Sequence, residues 1–218
     1  MKKILGMVPV ATLACGIATA SAEPLPNPMT DATLASAGAP AQRIVLAGGC
    51  FWGVQAVFQH TKGVIKAVSG YAGGTSMTAH YGIVSMGMTG HAESVEVTYD
   101  PAAITVGQIL RVYLSVAHDP TQLNRQGPDS GTQYRSEIFY TTPEQQKIAE
   151  AYIDQLGKAK IFSDPIVTKI APLEAFYPAE DYHQDYAKQH PMNPYIVIND
   201  APKVRALAKL YPKLYVEP

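Results

Sequence analysis

The chain has 218 residues, 47% of them hydrophobic and 16% charged, with a formal net charge of −1. That balance excludes a disordered chain, a broadly basic nucleic-acid surface and a polybasic membrane binder. Two cysteines are too few for a disulfide-stapled scaffold or a four-thiolate zinc site, and the length fits one domain with appendages. Met1-Lys2-Lys3 is a positive start, Ile4 to Thr19 is mostly apolar, and Ala20-Ser21-Ala22 has the small-x-small form of a cleavage site. The apolar run is shorter than the ~20 residues of a membrane span. Residues 1–22 are therefore expected to be a cleaved signal peptide that sends the chain to the periplasm or the medium, with no stable membrane anchor. Lipoprotein processing at Cys15 is disfavoured, because Thr12 stands where such sites prefer a large aliphatic residue. Cleavage after Ala22 removes Lys2, Lys3 and Cys15, shifts the net charge to −3 and leaves Cys50 as the one thiol. A lone thiol in an oxidising compartment is buried and inert, an intermolecular link, or reactive.

Residues 23–42 are rich in Pro, Ala, Ser and Thr without an apolar period, which predicts a flexible lead-in. The domain is expected over 43–218. Arg43 to Ala47 reads as a buried strand ended by Gly48-Gly49, and Phe51 to Gln59 as a helix with Phe51, Val54, Val57 and Phe58 on its buried face. Val64 to Ser69 predicts a second strand, and the Gly-rich stretch 70–90 a long functional loop. His91 to Tyr99 alternates as a third strand, and Thr105 caps a helix to about Val116. After a polar loop, Tyr134 to Thr141 is a fourth strand. Thr142 and Pro143 open a helix to about Lys160. Ile166 to Ile170 is a short fifth strand, with short helices at Glu180 to Gln189 and Lys203 to Lys209. The order βαββαβ with C-terminal additions is the split βαβ pattern, so the expectation is a two-layer α+β, ferredoxin-like domain with a mixed sheet.

Cys50 stands at a strand-to-helix turn, Gly48-Gly49-Cys50-Phe51-Trp52-Gly53. The glycines allow a tight bend and keep Cβ atoms from the thiol, and the helix N-terminus favours a thiolate there. Phe51 and Trp52 supply an aromatic wall. A buried, inert cysteine is the bland alternative, which glycines, helix start and aromatics together argue against.

Gly49-Cys50-Phe51-Trp52-Gly53 resembles the signature of the A-class peptide methionine sulfoxide reductases. Gly90-His91-Ala92-Glu93-Ser94-Val95-Glu96-Val97-Thr98-Tyr99-Asp100-Pro101 resembles a second block of that family. His118-Asp119-Pro120-Thr121-Gln122 through Gly131-Thr132-Gln133-Tyr134-Arg135-Ser136 resembles a third, and Tyr177-Pro178-Ala179-Glu180-Asp181-Tyr182-His183-Gln184 a fourth. The resemblance spans Arg43 to about Tyr211. It implies reduction of methionine-S-sulfoxide, free and in proteins, through a sulfenic acid on Cys50. A thiolate attacking the sulfoxide sulfur pushes charge onto oxygen, which needs a proton donor and fixed hydrogen-bond donors. The resemblance assigns these to Glu93, Tyr134 and Tyr81, with Asp129 holding a water or positioning a tyrosine. Glu93 serves as the acid only if burial raises its pKa. Phe51 and Trp52 would take the S-methyl group, and His183 is a pocket residue or a structural hydrogen-bonder.

The chain departs from the family in two places. Ser85-Met86 stand where many members carry Cys-Ser, and Leu210 to Pro218 contains no recycling cysteine. A one-cysteine enzyme is therefore expected, with no bound cofactor or metal, acting as a monomer. Cys50 would be restored by an external thiol: a thioredoxin-like protein, a glutaredoxin-like protein or a small thiol. Two rival readings are a cysteine hydrolase or acyl transferase with His183 as base to Cys50, and a non-enzymatic binding module.

Overall fold

The computed structural model describes residues 23–218, so the leader expected over residues 1–22, with Cys15, lies outside the described residues. The apolar run Gln42–Ala47 forms β1, buried over its last four residues. Then follow α1 (Phe51–Gln59), β2 (Val64–Ala72), the short α2 (Tyr81–Val84), β3 (Ala92–Tyr99) and α3 (Val106–Val112). Thr105 and Gln108 close a reciprocal capping box at the start of α3. A small hairpin, β4 (Arg125–Gln126) and β5 (Asp129–Ser130), precedes β6 (Glu137–Tyr140) and α4 (Pro143–Lys158). Thr142 caps α4, accepting from the Gln145 N–H, and Pro143 sits in its first turn, as the sequence predicts. The chain ends in β7 (Lys169–Pro172), β8 (Phe176–Pro178), α5 (Tyr186–Gln189) and α6 (Ala201–Leu210).

Six strands form one mixed sheet in the order β7-β6-β1-β3-β2-β8, antiparallel except for the parallel β6–β7 pair. Its middle four strands give the expected ferredoxin-like arrangement, with β3 inserted between β1 and β2 and α1 crossing between them. Alternation along β1 divides the core. Ile44 and Leu46 meet the helices in the main cluster with Val54, Val57, Phe58 and Leu110. Val45 and Ala47 face the other way, toward Ala72, Ala92 and Phe139, a second small cluster covered by Ala171, Leu173 and Phe176.

Several elements differ from expectation. The helix predicted to Val116 changes at Tyr113 into a π turn, Tyr113–Ala117. The fifth strand lies at Lys169–Pro172, where it pairs with β6. β8 is an addition, recruited by pairing Tyr177 with Tyr71 of β2. Glu180 to Gln189 is no continuous helix: a 3-10 turn at Asp181–His183 and α5 are separated by Asp185 at a left-handed φ of 57°. The segment expected to be a flexible lead-in is docked instead. Leu25 is 1% exposed, its N–H donates to the Tyr211 hydroxyl (2.9 Å), and its carbonyl accepts from Arg111 Nε (2.6 Å). The Asp31 carboxylate accepts from the Gly107 N–H and the Thr105 hydroxyl. Composition could not reveal this, since the partners lie more than 70 residues away.

Candidate active site

β1 delivers Gly48, Gly49 and Cys50 to the first turn of α1, with Cys50 as the N-cap residue. Gly49 has φ +87°, which only glycine adopts easily, and a Cβ there would strike the Gln126 side chain at 2.6 Å. A Cβ on Gly48 would meet the His118 ring at 2.7 Å. The glycines thus make room for the 118–126 loop rather than clearing space around the thiol. His118 is itself fixed. Its Nδ1 donates to the Tyr113 carbonyl (3.0 Å) and its Nε2 accepts from the Ser136 hydroxyl (2.6 Å), while the Tyr113 hydroxyl donates to the Ala47 carbonyl (2.5 Å). The π turn therefore props up the end of β1 directly before Cys50.

Cys50 is buried, and the thiol is not the ready thiolate expected from its place on the helix. Burial pushes its pKa well above the ordinary value, and the Glu93 and Asp200 carboxylates push the same way; the Trp52 backbone N–H and Lys203 oppose them. Glu93, on β3, is 2% exposed, and its Oε2 accepts from the Phe51 N–H at 3.1 Å. Thiol and carboxyl thus share the first turn of one helix. Burial raises Glu93 from 4.5 to about 8, against the pull of the Phe51 N–H, with Asp129 and Asp200 adding to the rise. At neutral pH this carboxyl carries a proton.

Aromatic rings enclose the same corner. The Trp52 ring stacks on Tyr186 (3.8 Å between centroids, 10° between planes) and meets Tyr195 edge-on at 6.0 Å. Trp52 Nε1 donates to His183 Nδ1 (3.2 Å), and the His183 ring lies 5.0 Å from Phe51 and 4.4 Å from Tyr81. His183 is thus committed to Trp52, and burial lowers its pKa. Its Nε2 is buried without a hydrogen-bond partner, so no bond joins it to Cys50 as the hydrolase reading requires. Tyr134 ends a 3-10 turn, Thr132–Tyr134, and burial followed by the charges of Glu93, Asp129 and Cys50 raises its hydroxyl pKa. Burial and Glu93 also raise Tyr81. The structure therefore brings Cys50, Phe51, Trp52, Tyr81, Glu93, Asp129, Tyr134 and His183 to one place.

It also adds residues that sequence reasoning missed. Asp129 accepts a hydrogen bond from the Tyr195 hydroxyl, so the tyrosine it positions is Tyr195. Glu180 accepts from the Tyr71 hydroxyl (2.8 Å) and the Tyr81 N–H (2.9 Å), pinning the start of α2. Asp200 is fully buried and pairs with Lys203 at 3.1 Å; its other oxygen has no partner. For Glu180 a signal existed, since it lies inside the fourth sequence block. Tyr195 and Asp200 lie beyond all four blocks and carry no local pattern. Among the described residues no group of three or more His, Cys, Asp or Glu side chains could hold a metal ion.

The family model described as peptide methionine sulfoxide reductase matches residues 42–214. Peptide methionine sulfoxide reductase MsrA 2 of Mesorhizobium japonicum is 63% identical over 173 residues, 79% of this chain and 89% of that one. Its namesake from Synechocystis is 50% identical over 188 residues, 86% of this chain and 88% of that one. Among solved structures, reduced Mxr1 of Saccharomyces cerevisiae superposes with a TM-score of 0.64 at 33% identity, covering 74% of this chain and 92% of that one. Methionine sulfoxide reductase A of Corynebacterium diphtheriae gives 0.62 at 36% identity, covering 78% and 86%. A buried carboxyl of raised pKa beside the Cys50 thiol in an aromatic corner suits the polar oxygen and apolar methyl of a sulfoxide, and the chain belongs to the peptide methionine sulfoxide reductase family, as an MsrA oxidoreductase that reduces methionine sulfoxide with thiol equivalents.

Proposed function

We propose that Cys50 is the nucleophile and Glu93 the acid in reduction of the S epimer of methionine sulfoxide, free and within proteins. The observation that carries this is the buried Glu93 carboxyl seated on the Phe51 N–H, next to Cys50 in sequence, where burial raises its pKa to about 8. The Cys50 sulfur attacks the sulfoxide sulfur while Glu93 hands its proton to the oxygen. The thiol proton passes to the emptied carboxylate, because a lasting charge on Glu93 would oppose the thiolate. Oxygen ends on Cys50 as a sulfenic acid, and methionine leaves. The methionine sulfur gains two electrons and the Cys50 sulfur loses two. The Tyr81 and Tyr134 hydroxyls donate to the oxygen as its charge grows. Phe51 and Trp52 receive the S-methyl group, His183 holds the Trp52 ring, and Asp129 holds Tyr195.

Between residues 23 and 218 Cys50 is the sole cysteine, so its sulfenic acid is resolved by an external thiol, from a thioredoxin-like or glutaredoxin-like protein or a small thiol. The leader-like start of the sequence supports export, with the processed chain acting as a monomer. One equivalent of substrate without reductant should leave Cys50 trappable by dimedone, read as a mass increase, with no intramolecular disulfide. Cys50→Ser should release no methionine. Turnover by that variant would refute the nucleophile.

A further inference from the structure

We propose that Met86 and Met88, with Ile83, form an apolar shoulder at the active-site mouth that takes the apolar residues flanking an oxidised methionine in an unfolded polypeptide. The inference rests on the reading of the Cys50 site just given and extends it to how a protein substrate is gripped. Met86 and Met88 are 58% and 82% exposed, and Ile83 is also exposed. Long apolar side chains left in water gain nothing for the fold, and three of them fall within six residues here. Their position is defined by the site. Ile83 lies in α2, two residues from Tyr81, whose ring packs on His183. The next segment is clamped to the turn that carries Tyr134: Gln133 Nε2 donates to the Ser85 carbonyl (3.1 Å) and the Thr132 hydroxyl to the Gly87 carbonyl (2.6 Å). The two exposed methionines flank Gly87 on this bridge between two site tyrosines.

The occupant follows from what enters the site. A methionine sulfoxide inside a protein arrives with neighbours on both sides, and methionines sit mostly among apolar residues that oxidation helps to expose. Clients differ in sequence, so the surface must adapt. Methionine suits this, being unbranched, with a polarizable sulfur and three rotatable bonds.

The test compares three substrates with dithiothreitol as reductant: free methionine-S-sulfoxide, an oxidised peptide with Leu and Phe beside the sulfoxide, and the same peptide with Ser and Asp there. For the Met86→Ser/Met88→Ser double variant, KM for the apolar peptide should rise about tenfold at unchanged kcat, the scale of partly covering two apolar side chains. The polar peptide and the free amino acid should be unaffected, and Met86→Leu/Met88→Leu should behave as wild type. Equal losses on all three substrates would overturn the proposal, since the segment would then only prop Tyr81 and Tyr134. So would unchanged constants throughout. A rise confined to the KM for a thioredoxin-like reductant would also overturn it, by assigning the shoulder to the reductant. Failure of wild type to reduce the free amino acid would remove the parent reading and this one together.

Discussion

At the residue scale, one helix turn serves two groups with opposed needs. A neutral Glu93 can donate a proton, whereas an ionised Glu93 would hold the Cys50 thiol protonated. Glu93→Gln keeps the hydrogen bond from the Phe51 N–H but cannot deliver the proton. The single-turnover rate should fall by ~10²–10⁴-fold with little change in substrate binding. A loss below about threefold would move the proton donor elsewhere, with Tyr134 the next candidate. In wild type the rate should decline as pH rises through about 8, where Glu93 ionises. Stability should fall over the window just below that limb, between the unfolded and folded pKa values. The carboxyl is raised from 4.5 to about 8 by folding, so its contribution is complete below pH 4.5 and is lost as pH climbs through 8. Urea midpoints between pH 5 and 9 should therefore fall more steeply for wild type than for Glu93→Gln. Cys50, Phe51, Trp52 and Glu93 were legible because each lies in a short motif with a chemical reason for its neighbours. Tyr195 and Asp200 were not, because Asp129 lies 66 residues from Tyr195 and nothing local marks the pairing.

At the element scale, α1 is placed by what its first turn excludes. An alanine at a helical glycine ordinarily stabilises by ~0.5–1 kcal/mol. At Gly53 the sign should reverse, because a Cβ would enter the Asp200–Lys203 pair at the start of α6, reaching Lys203 Nζ at 2.7 Å and the fixed Asp200 carboxylate closer still. Gly53→Ala should lower the melting temperature and depress turnover together, since α6 must move off the turn that carries Cys50. A variant as stable and active as wild type would show that α6 yields without disturbing the site. α1, β3 and the start of α4 were legible because period, cap and breaker agree there. The π turn at Tyr113 was not: an extra residue in one helical turn leaves the apolar spacing intact, and its purpose, bringing Tyr113 and His118 under Ala47 and Gly48, depends on another strand. β8 was equally silent, because three residues pairing with Tyr71, Gly70 and Ala72 carry no alternation of their own.

At the scale of the whole molecule, residues 25–31 act as a strap that ties together parts of the chain remote from one another. The family match starts at residue 42, so the strap lies outside the matched span. Arg111 of α3 donates to the Leu25 carbonyl and to Asn27 Oδ1, and its guanidinium lies 4.9 Å over the Tyr211 ring. From α4, the Tyr152 hydroxyl donates to the Pro26 carbonyl (2.8 Å) and Gln155 Nε2 to the Asn27 carbonyl (2.9 Å). Asp31 then covers the first turn of α3 beside the Thr105 cap. Low apolar content hid this from the sequence: one buried leucine anchors the segment, and its other bonds run from backbone groups and from Asn27 and Asp31 to distant partners. None of these contacts involves Cys50 or Glu93, so stability and chemistry should separate. Leu25→Ala removes a side chain that is 1% exposed, a change that costs about 2–5 kcal/mol in a core that cannot collapse around the gap. For a domain of this size that is a drop of roughly 5–15 °C in melting temperature, read by circular dichroism. Single-turnover reduction of methionine sulfoxide at 25 °C should stay within about twofold of wild type. An unchanged melting temperature would mean that the strap melts apart from the domain and leaves its stability alone. A lost turnover rate at unchanged stability would mean that the strap steers the active site from a distance, through α3 and the π turn that follows it.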